Sequence, residues 1–415
     1  MERSAPDRLR SLDLIRGFAV MGILAVNIAG MAGPIDATLT PWLPGPASLA
    51  DEASFAFILV VFEGKMRMLF SMLFGASMML FLENAEVRGR NADMLQLRRL
   101  GWLMLFGQAH YVLLWWGDIL FTYAAIGLIA LALRRKSPEI LLVLAGMIFA
   151  VGALFPLIGT FDRFALVERI HAGTASASEV SAWVERLGMM TRQTVSNLAM
   201  MQSSFAAQFA DRAWDKPFWL MGMATGNVQE ILPMMLIGMA FQKSGAFAGA
   251  WPRARLRRIA AWGVALGGIP TALVAGWAWA RHFPAPAMGA VIHGWLNLPH
   301  LAMALGYLAL LILAAPAILK SPLGQRIEAA GRVAFSNYLG TTMVMSLLFS
   351  GWGLALAGKI APALQWLFVL GAWALMLVWS KPWLARHRQG PLEWAWRSLT
   401  EWKALPNRLP TTIPG

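Results

Sequence analysis

Ten stretches of this chain are apolar over close to the thickness of a bilayer, and no other feature limits the fold as strongly. A helix needs about 20 mostly apolar residues to cross the hydrocarbon core. Such stretches lie near 14–32, 55–82, 99–117, 119–134, 138–159, 217–241, 257–281, 295–319, 332–356 and 361–381. The fourth is short, and the sixth is interrupted by Asn227, Gln229, Glu230 and Pro233. The expected fold is all-α: a polytopic membrane helix bundle of about ten transmembrane helices.

The basic residues test that count, because short cytoplasmic loops are rich in Lys and Arg. Arg3, Arg8 and Arg10 precede the first span. Later clusters are Arg88, Arg90, Arg98 and Arg99, then Arg134, Arg135 and Lys136, then Lys243 with Arg253, Arg255, Arg257 and Arg258. Lys320 and Arg326 follow, and Lys381, Arg386, Arg388, Arg397, Lys403 and Arg408 close the chain. With ten spans every cluster falls on one side. The opposite short loops hold only Arg281 and Lys359, and 33–54 carries acids alone. Both termini are therefore expected in the cytoplasm. The net charge of +13 then reflects topology, and no nucleic acid is expected as a partner.

The reading is one integral membrane domain over 1–415, with an extracytoplasmic helical insertion at 160–216 and a cytoplasmic tail at 382–415. Within the insertion, EVSAWVERLGMM has apolar residues at helical spacing. It reads as a surface hairpin, with a lid over an outward-facing site as the alternative. The first apolar run holds Arg16 and Asn27, which argues against a cleavable signal peptide. The absence of cysteine excludes disulfides and thiolate chemistry. No histidine pair spaced i, i+4 falls within a span, so no metal site is expected.

Ionisable residues at membrane depth face a bundle interior or cavity. At about 1.5 Å per residue, His110 and Asn27 lie near mid-membrane. FEGKMRMLF places Glu63, Lys65 and Arg67 at similar depth. Glu63 and Arg67 are four apart, so a continuous helix would put them on one face as a pair, with Lys65 turned elsewhere. Glu230 is a further mid-span acid, and Asp118 belongs at the outer boundary beside Trp115 and Trp116. Each has a plain structural reading: a helix-locking ion pair, a core histidine, an interfacial cap. His293 and His300 read as interfacial. The sequence has no nucleotide-binding glycine loop, metalloprotease or serine-hydrolase motif.

Five stretches together resemble one family. They are RLRSLDLIRGFAVMGILAVN at 8–27, FEGKMRMLFSMLFGAS at 62–77, HYVLLWWGDIL at 110–120, GRVAFSNYLGTT at 331–342 and RQGPLEWAWRSLT at 388–400. The set resembles the YeiB-like bacterial membrane family, the domain of unknown function numbered 418. In looser form the first stretch is also similar to the lysosomal heparan-glucosaminide acetyltransferase and, more distantly, to acyltransferase-three membrane enzymes. That resemblance implies a multi-pass protein of the bacterial cytoplasmic (inner) membrane. It implies transfer of an acyl group from cytoplasmic acyl-CoA, with acetyl-CoA the expected donor, to a hydroxyl or amine of a cell-envelope or small-molecule acceptor outside. It implicates Asp13, Arg16 and Asn27, and offers His110 as the catalytic histidine.

Acyl transfer needs a base for the acceptor proton and a group to stabilise the oxyanion. His110, with Asp118 returned to it by a chain reversal after Gly117, is the candidate base. Asn27, Lys65 or Arg67 would polarise the carbonyl, with Glu63 beside them. Arg16, Arg98, Arg99 and Arg332 would hold the phosphates of CoA. A proton-coupled small-molecule transporter is the rival reading, because buried Glu, Lys, Arg and His and an interrupted helix suit a carrier. A homo-oligomer is left open.

Overall fold

The structure, a computed structural model, describes residues 5–410, with side chains from Arg10 onward except those of Phe155 and Gly159. Arg3 and the Arg8 side chain lie outside the described residues. The helices are α1 (Ala5–Ala32), α2 (Leu49–Val61), α3 (Lys65–Val87), α4 (Ala92–Leu113), α5 (Leu120–Ala132), α6 (Pro138–His171), α7 (Ala177–Met201) and α8 (Phe205–Ala210). The second half adds α9 (Trp219–Lys243), α10 (Arg253–Trp279), α11 (Ala285–Ala290), α12 (Asn297–Ile318), α13 (Pro322–Arg332), α14 (Ala334–Phe349), α15 (Gln365–Leu384) and α16 (Pro391–Thr400).

The all-α membrane bundle is what the structure contains. Five helical stretches are long and apolar enough to cross a membrane: Arg10–Ala32, Pro138–His171, Arg253–Trp279, Asn297–Ile318 and Pro362–Leu384. The other expected spans fall on α2 with α3, and on α4, α5, α9 and α14.

Two expectations about continuity are corrected. The span drawn through 55–82 is two helices, broken at Phe62–Gly64. Gly64 sits at φ 73°, ψ −45°, and the Lys65 N–H donates to the Glu63 carbonyl at 2.8 Å, closing a three-residue γ-turn. Left-handed backbone of this kind favours glycine. The sixth span, by contrast, is not interrupted: α9 runs through Asn227 and Pro233 without a break. The α6 helix also extends to His171 instead of ending near 159.

The two largest apolar cores divide the bundle. One is built on α3, α5, α9 and α12 around Met68, Met72, Tyr123 and Met235. The other is built on α1, α14 and α15 around Val20, Leu24, Met345 and Val369. A Cβ on Gly75 would lie 2.1 Å from the Met235 carbonyl oxygen, so α3 and α9 cross backbone to backbone. The last segment folds back onto the bundle. Arg90 pairs with Glu401, the Trp396 indole donates to the Arg99 carbonyl at 2.8 Å, and Arg388 N–H donates to the Asn407 carbonyl at 2.7 Å.

Candidate functional site

The seam between the two cores holds two cavities set end to end. The first, of about 190 Å³, reaches the end of the bundle that carries the arginine clusters. Its polar lining includes Arg16, Ser77, Arg99, Tyr123, Arg332 and Tyr338, against apolar walls from α1, α3 and α4. The second, of about 220 Å³, lies toward the opposite end and is lined by Asn27, Glu63, Arg67, Thr122 and His293 among others. Ile23 and Ile119 line both, so the partition between them is thin.

At the basic end, Arg16 donates to Asp13 at 2.6 Å and to the Ser77 hydroxyl at 2.9 Å. Asp13 therefore acts by holding Arg16. Arg99 has no carboxylate partner among the described residues; its guanidinium is held between the Phe81 and Trp396 rings, 4.7 and 4.3 Å from their centroids. Arg332 makes one long contact, 3.5 Å to the Arg388 carbonyl. Arg98 does not join this group: it is exposed and lies over the Trp402 ring at 6.0 Å. Glu393 of α16 completes the wall, accepting from the N–H groups of Phe335 and Ser336 at 2.8 and 3.1 Å. Burial pushes its carboxyl above the ordinary range, against those hydrogen bonds.

At the opposite end the expected Glu63–Arg67 pair does not form. The break removes the i, i+4 geometry, since Glu63 precedes the turn and Arg67 follows it. Arg67 instead reaches across to α9 and binds Glu230 through two hydrogen bonds of 2.8 and 3.0 Å. Such a fork fixes both side chains. The Glu63 carboxylate is left facing the cavity, with no hydrogen bond or ion pair among the described residues. Lys65 is fully buried and turned away from both cavities. Its ammonium donates at 2.6 Å to the Leu59 carbonyl, one of those released where α2 ends. It is not placed to polarise a bound carbonyl.

The chain does reverse after Gly117 and returns Asp118 to His110: Nδ1 lies 2.8 Å from Asp118 Oδ2. The other carboxylate oxygen accepts from the Phe121 N–H at 2.8 Å and so caps the start of α5. The hydrogen bond takes up Nδ1 and turns Nε2 away from Asp118. Nε2 is buried without a partner among the described residues, and neither side chain of the pair has accessible surface. His110 lines neither cavity, so the expected base is sealed inside the partition, with the Tyr338 ring 5.3 Å away.

His300 was expected at an interface but is buried; a Cβ on Gly64 would lie 2.1 Å from its Nδ1. Sequence reasoning did not single out Tyr123, Tyr338, Ser77 or Glu393. Tyr338 and Glu393 fall within quoted motifs, whereas Tyr123 sits in an unmarked apolar run, stacked on Phe70 and Phe74. Among the described residues no group of three His, Asp or Glu is placed to hold a metal.

A family model described as "Protein of unknown function (DUF418)" matches residues 241–403. The Escherichia coli (strain K12) "Uncharacterized protein YeiB" is 30% identical over 400 residues, covering 95% of this chain and 96% of the relative. The Bacillus subtilis (strain 168) "Uncharacterized protein YxaH" is 28% identical over 420 residues, covering 95% and 94%. No solved structure matches the chain.

Proposed function

We propose, from the premise that the chain belongs to the YeiB-like DUF418 family of membrane proteins, that it is a membrane-embedded acyltransferase. One observation carries this reading. A cavity with arginines short of carboxylate partners meets, across Ile23 and Ile119, a cavity that holds an unpartnered carboxylate. Arg16, Arg99 and Arg332 would hold the phosphates of acyl-CoA, with the thioester arm running along the apolar wall to the partition. In the opposite cavity Glu63 takes the proton from an acceptor hydroxyl or amine. The freed lone pair attacks the thioester carbonyl, and the Asn27 amide stabilises the oxyanion. The C–S bond then breaks as the new C–O or C–N bond remains; CoA leaves as a thiolate that takes up one proton at the basic end, and Glu63 releases to water the proton it took, so no net proton is gained or lost. His110 and Asp118 are positioning residues that fix the turn at Trp115–Gly117 beneath the second cavity.

The accompanying topology has about ten spans in the bacterial cytoplasmic membrane, both termini inside and 160–216 outside. Single cysteines replacing Ser178 and Lys403 test it. An impermeant thiol reagent should label 178 and miss 403 in sealed cells; the reverse result rejects it.

A second reading, a proton-coupled transporter, is favoured by the α2–α3 break beside the cavity, since discontinuous helices build the sites of many carriers. Purified protein in sealed vesicles separates the two. Release of free CoA thiol from acetyl-CoA, raised by an added hydroxyl or amine acceptor, supports transfer. No thiol release, together with proton-driven solute uptake, supports transport.

A further inference from the structure

A third hollow, of about 100 Å³, opens beside the second cavity, between α6, α9 and the start of α12. Asn227 and His293 line both, so the two are neighbours. Its remaining polar wall is Gln229, Glu230 and Asn297. Glu230 is neutralised by Arg67. The other groups are not satisfied. Asn227 and Asn297 donate to the carbonyls four residues before them, Met223 and His293, each at 2.7 Å, which leaves their own amide oxygens free. The Gln229 amide and the His293 ring make no hydrogen bond among the described residues, and both are exposed.

The surroundings make this unusual. The helices that form the hollow carry exposed apolar side chains, Val151, Leu154 and Ile158 on α6, Met221 on α9 and Leu298 on α12, as on a surface that meets lipid tails. Polar groups without partners are costly in hydrocarbon, and they occur at such depth where they line a cavity or a substrate path. The hollow offers several neutral hydrogen-bonding groups and one imidazole, with its carboxylate already paired. A small headgroup carrying hydroxyl or amine donors matches that set, and the apolar border suits the chains attached to it.

We propose that this hollow is a lateral entrance through which the headgroup of a membrane amphiphile passes from the bilayer into the second cavity. On the acyl-transfer reading, the headgroup hydroxyl or amine is the acyl acceptor.

The test uses binding alone, so it does not depend on turnover. Gly226 lines the hollow, and a Cβ there would meet nothing within 4 Å. The chain has no native cysteine, so a single cysteine at Gly226 can carry a benzophenone. A second single-cysteine protein, at exposed Leu266 on α10, reports ordinary lipid contact. Both are placed in vesicles of equal parts phosphatidylcholine, phosphatidylethanolamine and phosphatidylglycerol, and the cross-linked lipid is identified by mass. Phosphatidylcholine has no headgroup donor, whereas the other two do. The expected result is several-fold preference for the donor-bearing lipids at 226, none at 266, and loss of the preference when Gln229→Leu and Asn227→Leu are added. Equal labelling of all three lipids at 226 overturns the proposal. So does suppression of the labelling by free ethanolamine or glycerol, which would make the ligand a soluble polar molecule. If the preference holds while acetyl-CoA yields no thiol, the entrance stands and the acyltransferase reading falls.

Discussion

The two cavities treat their charges in opposite ways. At the basic end Arg99 and Arg332 pair with no carboxylate among the described residues, and Arg16 shares its guanidinium between Asp13 and Ser77. At the other end Arg67 is held by both oxygens of Glu230, and the surplus group is an acid, Glu63. A cation left open in a partly apolar chamber attracts an anionic ligand. A paired cation is structure. The difference teaches that similar residues, all inside helical motifs, divide into ligand-facing and scaffold roles according to whether a partner helix answers them.

Glu230→Gln should show the largest effect. It leaves the partly buried Arg67 guanidinium without its paired counter-charge, and the loss should be about 2 kcal/mol, below the roughly 3–5 kcal/mol of a fully buried pair. The protein should melt well below the parent in detergent. Arg332→Gln should change stability by no more than about 0.5 kcal/mol, because among the described residues no carboxylate is hydrogen-bonded to it. Equal losses in the two variants would erase the contrast.

Next in size, Glu63→Gln should lower acyl transfer by a factor of about 100 or more while leaving the melting temperature near the parent's. A folded variant with full turnover would remove Glu63 from the chemistry. His110→Ala, in contrast, should act on stability, since it leaves Asp118 sealed without its partner. A third effect concerns the donor: Arg332→Gln should weaken acyl-CoA binding by about tenfold, the order of one charge-assisted contact. Unchanged affinity by calorimetry would move the donor site elsewhere.

The smallest effect is a pH dependence at the docked tail. Arg90 holds the Glu401 carboxyl below its ordinary range. A depressed acid contributes stability that is complete above its unfolded pKa of about 4.3 and is lost as pH falls through the folded value. The pair is partly exposed, so its worth is no more than about 1 kcal/mol. Proteolysis within 385–410 should rise below about pH 4 in the parent, and Glu401→Gln should flatten that rise.

Much of the bundle was legible because its signal is local. Apolar length marked α1, α4, α5, α6, α9, α10, α12, α14 and α15 and merged α2 with α3, and the arginine clusters flank the cavity at which Arg16, Arg99 and Arg332 gather. What failed was non-local. Nothing between 55 and 82 requires a break, since a glycine within a membrane helix is ordinary; the turn at Gly64 is accompanied by His300, which arrives from α12 to fill the space a side chain would need. Pro233 was a stronger local signal, yet α9 continues through it, held against α3, α5 and α6. The pairing of Arg67 likewise depended on α9. The return of Asp118 to His110 was readable as a possibility from Gly117, but not the sealing of the pair, which requires the packed neighbours.

The central claim is that one end binds the donor and the other activates the acceptor. Single-turnover acyl transfer, followed across a range of acetyl-CoA concentrations, tests it most directly. Arg332→Gln should need about tenfold more donor to approach the parent's plateau. Glu63→Gln should keep the parent's donor dependence, with the plateau lowered about 100-fold. The account is contradicted if the two patterns are exchanged, if both variants change donor dependence and plateau together, or if the parent transfers no acyl group.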